Sequence, residues 1–94
     1  MKQSLIIDGQ PVVAEEWVEG PRSNFAKLFK EPDLVSVGSA RFKTEQPIAT
    51  RQRVYLEGGY RIARVRGSVR LPDGRFSHKA VLFEPRHVRE NADR

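Results

Sequence analysis

Residues 60–83, YRIARVRGSVRLPDGRFSHKAVLF, constrain the fold more than any other part of the chain. Two runs in which apolar and polar residues alternate flank Asp73-Gly74, and an Asp-Gly pair between such runs predicts a hairpin with a two-residue turn. The length of the turn fixes which residues face each other across the two strands. The sequence therefore predicts a tight hairpin centred on this pair.

The predicted register separates the charged groups of this hairpin from most of its apolar groups, because successive strand residues point to opposite faces. The face expected to lie on the core carries Val65, Gly67, Val69, His78, Ala80 and Leu82. The outer face would carry Arg64, Arg66, Ser68, Arg70, Ser77, Lys79, Val81 and Phe83. The hairpin thus predicts a basic sheet surface in which two apolar side chains are interleaved.

Turn signals recur every 8–12 residues and separate further strand-like runs, a spacing typical of small all-β domains. Residues 4–19 read as a first hairpin, and residues 34–43 and 48–57 read as two more strands. Ser23 can cap a short helix with an apolar stripe that ends before Pro32. We expect a mainly β (α+β) fold, a small antiparallel sheet of about six strands curled into a partly open barrel or roll, with one short helix near residues 23–30.

The length of 94 residues suits one small domain, which we place at residues 1–87, followed by a flexible C-terminal tail at residues 88–94. The absence of cysteine excludes disulfides and thiolate chemistry. No run approaches the roughly 20 apolar residues of a membrane span, and the N-terminal apolar run is too short for a signal peptide. These features predict a cytoplasmic protein with no membrane partner.

Positive charge is concentrated in the second half of the chain. The net charge is +5, but residues 1–40 carry four basic and six acidic side chains, whereas residues 41–94 carry thirteen basic and six acidic ones. Twelve of the seventeen basic residues are arginines, whose planar donor fork suits phosphate and carboxylate groups. This asymmetry favours an anionic partner.

The strand at residues 48–57 would extend the basic face if it pairs beside the hairpin. The resulting candidate binding residues are Arg51, Arg53, Arg64, Arg66, Arg70 and Lys79, with Tyr55 and Phe83 as auxiliary stacking groups. Arginine forks bind phosphate oxygens and release counterions, and aromatic rings stack single-stranded bases. A basic outer face that only keeps the sheet soluble explains the same pattern.

Three functions remain open at this point. The leading hypothesis is a non-catalytic binding module that docks an anionic partner. Nucleic acid is the favoured partner, and an acidic protein surface is the less favoured one. The alternative is a protein-interaction or assembly subunit with no role in nucleic-acid binding, in which exposed strand edges would allow dimerisation by strand addition. The third is a small basic RNase-like toxin that uses His78 as an acid–base group.

The sequence otherwise offers little for catalysis. The chain contains neither GxxxxGK[ST] nor GxGxxG, the two spacings of a glycine-rich phosphate loop. His78 falls on the face expected to lie on the core. His87 lies near the C-terminus with no further candidate metal ligands beside it. We therefore predict no catalytic residue, no metal site and no cofactor.

Overall fold

A computed structural model describes residues 1–87, so the tail predicted at residues 88–94 lies outside the described residues. The strands are β1 (Gln3–Ile7), β2 (Gln10–Gly20), β3 (Leu34–Thr44), β4 (Arg53–Leu56), β5 (Ile62–Arg70) and β6 (Phe76–Pro85). All neighbours pair antiparallel, and the sheet closes in the order β1-β2-β3-β6-β5-β4. The prediction of a mainly β, antiparallel fold of six strands is confirmed.

Two details of the predicted fold are wrong. The barrel is closed rather than partly open, because β1 and β4 pair at Leu5 with Leu56 and at Ile6 with Tyr55. The helix expected near residues 23–30 is a single 3-10 turn, Asn24–Leu28. Ser23 caps it as expected, accepting a hydrogen bond from the Phe25 N–H at 3.1 Å. So short a segment cannot sustain an α-helix without packing along its length.

The barrel interior forms the main core. Its buried members are Leu5, Ala14, Trp17, Ala40, Phe42, Ile48, Val54, Leu56, Ala63, Val65, Ala80 and Leu82. Trp17 packs on Phe42 with ring centroids 5.0 Å apart. Strand alternation brings these side chains inward, as predicted for Val65, Ala80 and Leu82.

The predicted two-residue turn at Asp73-Gly74 is instead a three-residue loop. The N–H of Gly74 donates to the Leu71 carbonyl at 3.0 Å, and the N–H of Leu71 donates to the Arg75 carbonyl at 2.8 Å. A two-residue turn would need a donor from Pro72, which has no N–H. Pro72 occupies the second position of the turn, which suits its fixed φ, and Gly74 takes a φ of +92°. The register therefore shifts by one residue.

A bulge at Arg66 shifts the register of the hairpin again. Val65 pairs with Ala80, but Gly67 pairs with Lys79, so Arg66 has no partner residue on β6. Beyond the bulge the two faces of β5 exchange. Val69, predicted in the core, is 66% exposed, and Ser68 takes the place opposite His78.

The connection between β2 and β3, residues 21–33, covers part of the outer face of β5 and β6. Phe29 from this connection packs in a second buried cluster that also contains Leu34, Ile62, Val81 and Phe83. The sequence predicts a short helix packed on or capping the sheet here; the segment covers the sheet as a 3-10 turn and loop instead. Within residues 1–87, no helix is long and apolar enough to cross a bilayer.

Candidate anion-binding groove

Two of the predicted anion-binding arginines contact a carboxylate of the protein itself. Arg53 and Arg64 face each other across β4 and β5, and both donate to Glu31 in the β2–β3 connection. The side chain of Glu31 is only 3% exposed. Burial lowers the pKa of Arg64, but a guanidinium stays protonated at neutral pH. Both arginines are therefore engaged by the protein's own carboxylate, which offsets one of their two positive charges.

Phe83 lies on the outer side of β6 but is covered. Its ring meets Phe29 edge-on, with centroids 6.1 Å apart and planes at 88°, and only 3% of Phe83 is exposed. The guanidinium of Arg64 lies over the Phe29 ring, 5.0 Å from its centroid. Phe83 thus anchors the β2–β3 connection and presents no free ring face to a base.

Three further predicted residues, Arg51, Tyr55 and Arg70, are exposed. Arg51, with a φ of +72°, lies in the loop before β4, and its carbonyl accepts from Arg64 Nε at 2.7 Å. Tyr55 is 46% exposed on β4. Arg70 pairs with Phe76 beyond the bulge, so its strand parity is opposite to that of Lys79. Arg70 and Lys79 therefore do not share the continuous face that the sequence predicts.

The remaining two predicted residues, Arg66 and Lys79, lie together with a third cation. Lys79 on β6 is paired with Arg41 on β3 and with Gly67 on β5, and Arg41 is paired with Val18 on β2. Neighbouring strands are about 4.8 Å apart, so this row crosses four strands within a short distance. The row brings two exposed cations side by side.

A groove opens over this row, between the strands and the start of the β2–β3 connection. Its volume is about 320 Å³. We call it the basic groove; it is lined by Val18, Glu19, Gly20, Pro21, Ser23, Phe25, Ser39, Ala40, Arg41, Arg66, Lys79 and Ala80. Arg66 crosses to the far wall, where its guanidinium carbon lies 3.9 Å from the centroid of the Phe25 ring. Stacking on an aromatic face holds a cation without neutralising it.

The charges of the basic groove are unbalanced. Among residues 1–87, no carboxylate pairs with Arg41, Arg66 or Lys79. Glu19 lines the groove, but it accepts hydrogen bonds from Arg61 and, at 2.8 Å, from the Trp17 indole. The bond from Arg61 holds the pKa of Glu19 below its ordinary value, so this carboxylate is charged and already partnered.

Some cations elsewhere on the barrel are paired with acids. Lys43 lies 2.8 Å from Glu16, and its hydrogen bond lowers the pKa of that carboxyl. Arg75 contacts Glu15 at 2.8 Å and Asp73 at 2.9 Å. These pairs show that β2 and the hairpin loop supply carboxylates to some cations. Other exposed cations, such as Lys2, Arg51 and Arg70, have no ion pair among residues 1–87. The basic groove brings three unpaired cations together.

His78 is fully buried and bonded at both ring nitrogens. Thr44 Oγ1 donates to the Gln46 carbonyl at 2.5 Å, so it accepts from His78 Nε2 at 2.7 Å, and His78 Nδ1 accepts from Ser68 Oγ at 2.7 Å. Burial lowers the pKa of His78, which favours this neutral tautomer. The His78 side chain is not exposed to solvent in this structure. Within residues 1–87, no group of three acidic, histidine or cysteine side chains is placed to hold a metal.

No family model matches the chain, and comparisons with curated proteins and with solved structures found no match.

Sequence reasoning missed two residues of the basic groove, and it missed the carboxylate that pairs with Arg53 and Arg64. Arg41 lies at an outward position of β3, a signal that the alternation of ARFK contains, but its pairing with Lys79 is a long-range contact. Phe25 belongs, with Leu28 and Phe29, to the apolar stripe that the sequence predicts for the short helix, yet its ring is 46% exposed. Glu31 carried no pattern that linked it to Arg53 or Arg64.

Proposed function

We propose that this protein binds nucleic acid without catalysing a reaction, through the phosphate backbone and the basic groove. The observation that supports the proposal is the convergence of Arg41, Arg66 and Lys79 in one groove, with no paired carboxylate among residues 1–87. Phosphate oxygens would accept hydrogen bonds from these side chains and release condensed counterions, which is the main source of sequence-independent affinity.

Charge placement supports a ligand rather than mere solubility. Like charges at directly opposite strand positions destabilise a sheet, and Arg41 and Lys79 occupy such positions. A polyanion lying across the row would remove this repulsion. The net charge of +5 would also speed the encounter with a polyanion. Such a ligand is compatible with the cytoplasmic location that the sequence predicts.

Gly67 offers a test that removes no cation. It lies opposite Lys79, and a Cβ at this position would meet nothing within 4 Å. Gly67→Glu places a carboxylate beside Lys79, whereas Gly67→Gln adds a side chain of the same size without charge. Fluorescence anisotropy with a labelled oligonucleotide at low and moderate salt compares the two variants with the wild type.

We expect the wild type and Gly67→Gln to bind with similar affinity, and Gly67→Glu to bind at least fivefold more weakly. Binding should weaken steeply as salt rises. Absence of binding by the wild type at low salt, or equal affinities for Gly67→Glu and Gly67→Gln, would overturn the proposal.

A second candidate function, self-association by strand addition, is favoured by one observation. β4 pairs with β5 only over Ile62–Arg64, so among the described strands Gly67–Arg70 pair with β6 alone. Val69 within this open edge is 66% exposed. Sedimentation velocity of the wild type and Val69→Lys tests this candidate; a monomer at all concentrations contradicts it.

A further inference from the structure

We infer that the basic groove takes single-stranded nucleic acid in preference to a duplex, with one base stacked on the guanidinium of Arg66. This inference rests on the proposed function and specifies its ligand. Two features carry it: the concave shape of the groove and the support that Phe25 gives to Arg66.

The cations lie along the floor of the groove rather than on a protruding element. Arg41 and Lys79 lie on neighbouring strands of the barrel wall, and Pro21, Ser23 and Phe25 form the facing wall. Proteins that read a duplex commonly insert a helix or a β-ribbon into its major groove. The basic groove is a depression of about 320 Å³ and not a protruding element that could enter the major groove of a duplex. The shape therefore favours a strand whose phosphates can reach the floor.

Arg66 and Phe25 form a stacking platform at one end of the row. The guanidinium lies 3.9 Å from the ring centroid, so the ring supports one face of the cation. Arginine planes and aromatic rings are both surfaces on which unstacked bases lie in single-stranded complexes. The 46% exposure of Phe25 leaves part of the ring open as well.

The centre of the row and its two sides differ in a way that suits a nucleotide. Arg41 and Lys79 at the centre would contact a phosphate of the ligand. Val18, which is 52% exposed, and Phe25 offer apolar contacts on either side. A base and a sugar supply the matching apolar surfaces of the ligand. Inorganic anions or an acidic peptide would leave the Phe25 platform unused.

The test uses three probes of equal length at one salt concentration: a single strand, the duplex of the same sequence, and an abasic single strand that keeps the phosphates but lacks bases. We expect the single strand to bind at least tenfold more tightly than the duplex, and the abasic strand to bind more weakly than the strand with bases. Equal or tighter binding of the duplex overturns this inference and leaves the proposed function intact. Absence of binding to all three probes overturns both.

A variant of the platform separates stacking from charge. Phe25→Leu removes the ring and keeps every cation, and Tyr60→Leu removes a 71% exposed ring outside the groove as its control. We expect Phe25→Leu to weaken binding of the base-containing strand by about five- to tenfold, in line with the usual value of base stacking, without changing the affinity for the abasic strand. Equal losses for both strands, or no loss for either, contradict a stacking role.

Discussion

Arg41 and Lys79 are direct cross-strand partners on the outer side of β3 and β6, and both are exposed. Two residues along β3 from Arg41, Lys43 lies 2.8 Å from Glu16. The same strand therefore carries one neutralised cation and one that faces another cation. An unrelieved pair of this kind is what we expect where a surface binds an anion, because the ligand supplies the missing charge.

Reversing one charge of this pair should stabilise the fold and weaken binding. Lys79→Glu places a carboxylate opposite Arg41, so we expect the free energy of unfolding to rise by about 0.2–1 kcal/mol, measured by urea denaturation. Lys43→Glu, the matched control, should lower it because it removes the contact with Glu16. A lower stability of Lys79→Glu than of the wild type would show that the two cations do not repel each other.

Glu31 should be a stabilising residue rather than a binding residue. Glu31→Gln removes the charge that Arg53 and Arg64 share, and the loss of charge-assisted hydrogen bonds from a 3% exposed carboxylate should cost about 1–3 kcal/mol of unfolding free energy. Glu45→Gln changes an exposed loop carboxylate, and we expect a change within about 0.5 kcal/mol. Equal changes in the free energy of unfolding for Glu31→Gln and Glu45→Gln would contradict the stabilising role of Glu31.

His78 should make the fold less stable in mild acid. Burial lowers its pKa in the folded state from the ordinary value of 6.5, so the unfolded chain binds a proton first. Stability should therefore fall as the pH drops below about 6.5, and continue to fall until the pH reaches the lowered folded pKa. Thermal melts of the wild type and His78→Gln between pH 7.5 and 5 measure this. Parallel pH profiles for the two proteins would exclude His78 as the source.

Two glycines of the β5–β6 hairpin should respond oppositely to alanine. A Cβ at Gly74 or at Gly67 would meet nothing within 4 Å, but only Gly74 has a positive φ, +92°. We expect Gly74→Ala to lose about 1–2 kcal/mol of unfolding free energy and Gly67→Ala to gain about 0.4–1 kcal/mol. Chemical denaturation of both variants is the measurement, and a neutral Gly74→Ala would argue against the three-residue loop.

Local patterns predicted the strands and much of the core, since alternation is a property of neighbouring residues. The buried positions of Val65, Ala80 and Leu82 were found in this way. Local patterns did not predict that the two faces of β5 exchange beyond Arg66, because Pro72 lengthens the turn and a bulge moves the register again. An error of one residue in register transfers a side chain such as Val69 to the other face.

The site was harder to predict than the fold because it depends on contacts between distant parts of the chain. Parity placed Phe83 on the outer side of the sheet, but it could not show that Phe29 folds over it. Nor could strand parity show that Arg64 donates a hydrogen bond to Glu31. Arg66 and Lys79 remained in the candidate site, and Arg41 joined them through the pairing of β3 with β6.

The salt dependence of single-strand binding tests the central claim most directly. Each phosphate neutralised on a single strand contributes about 0.7 to the slope of log K against log salt, so three groove cations predict a slope near −2. Lys79→Ala should reduce the size of that slope by about 0.7, whereas Lys2→Ala, which removes an exposed cation outside the groove, should leave it unchanged. Equal slopes for the wild type and Lys79→Ala would contradict the assignment of the basic groove as the phosphate-binding surface.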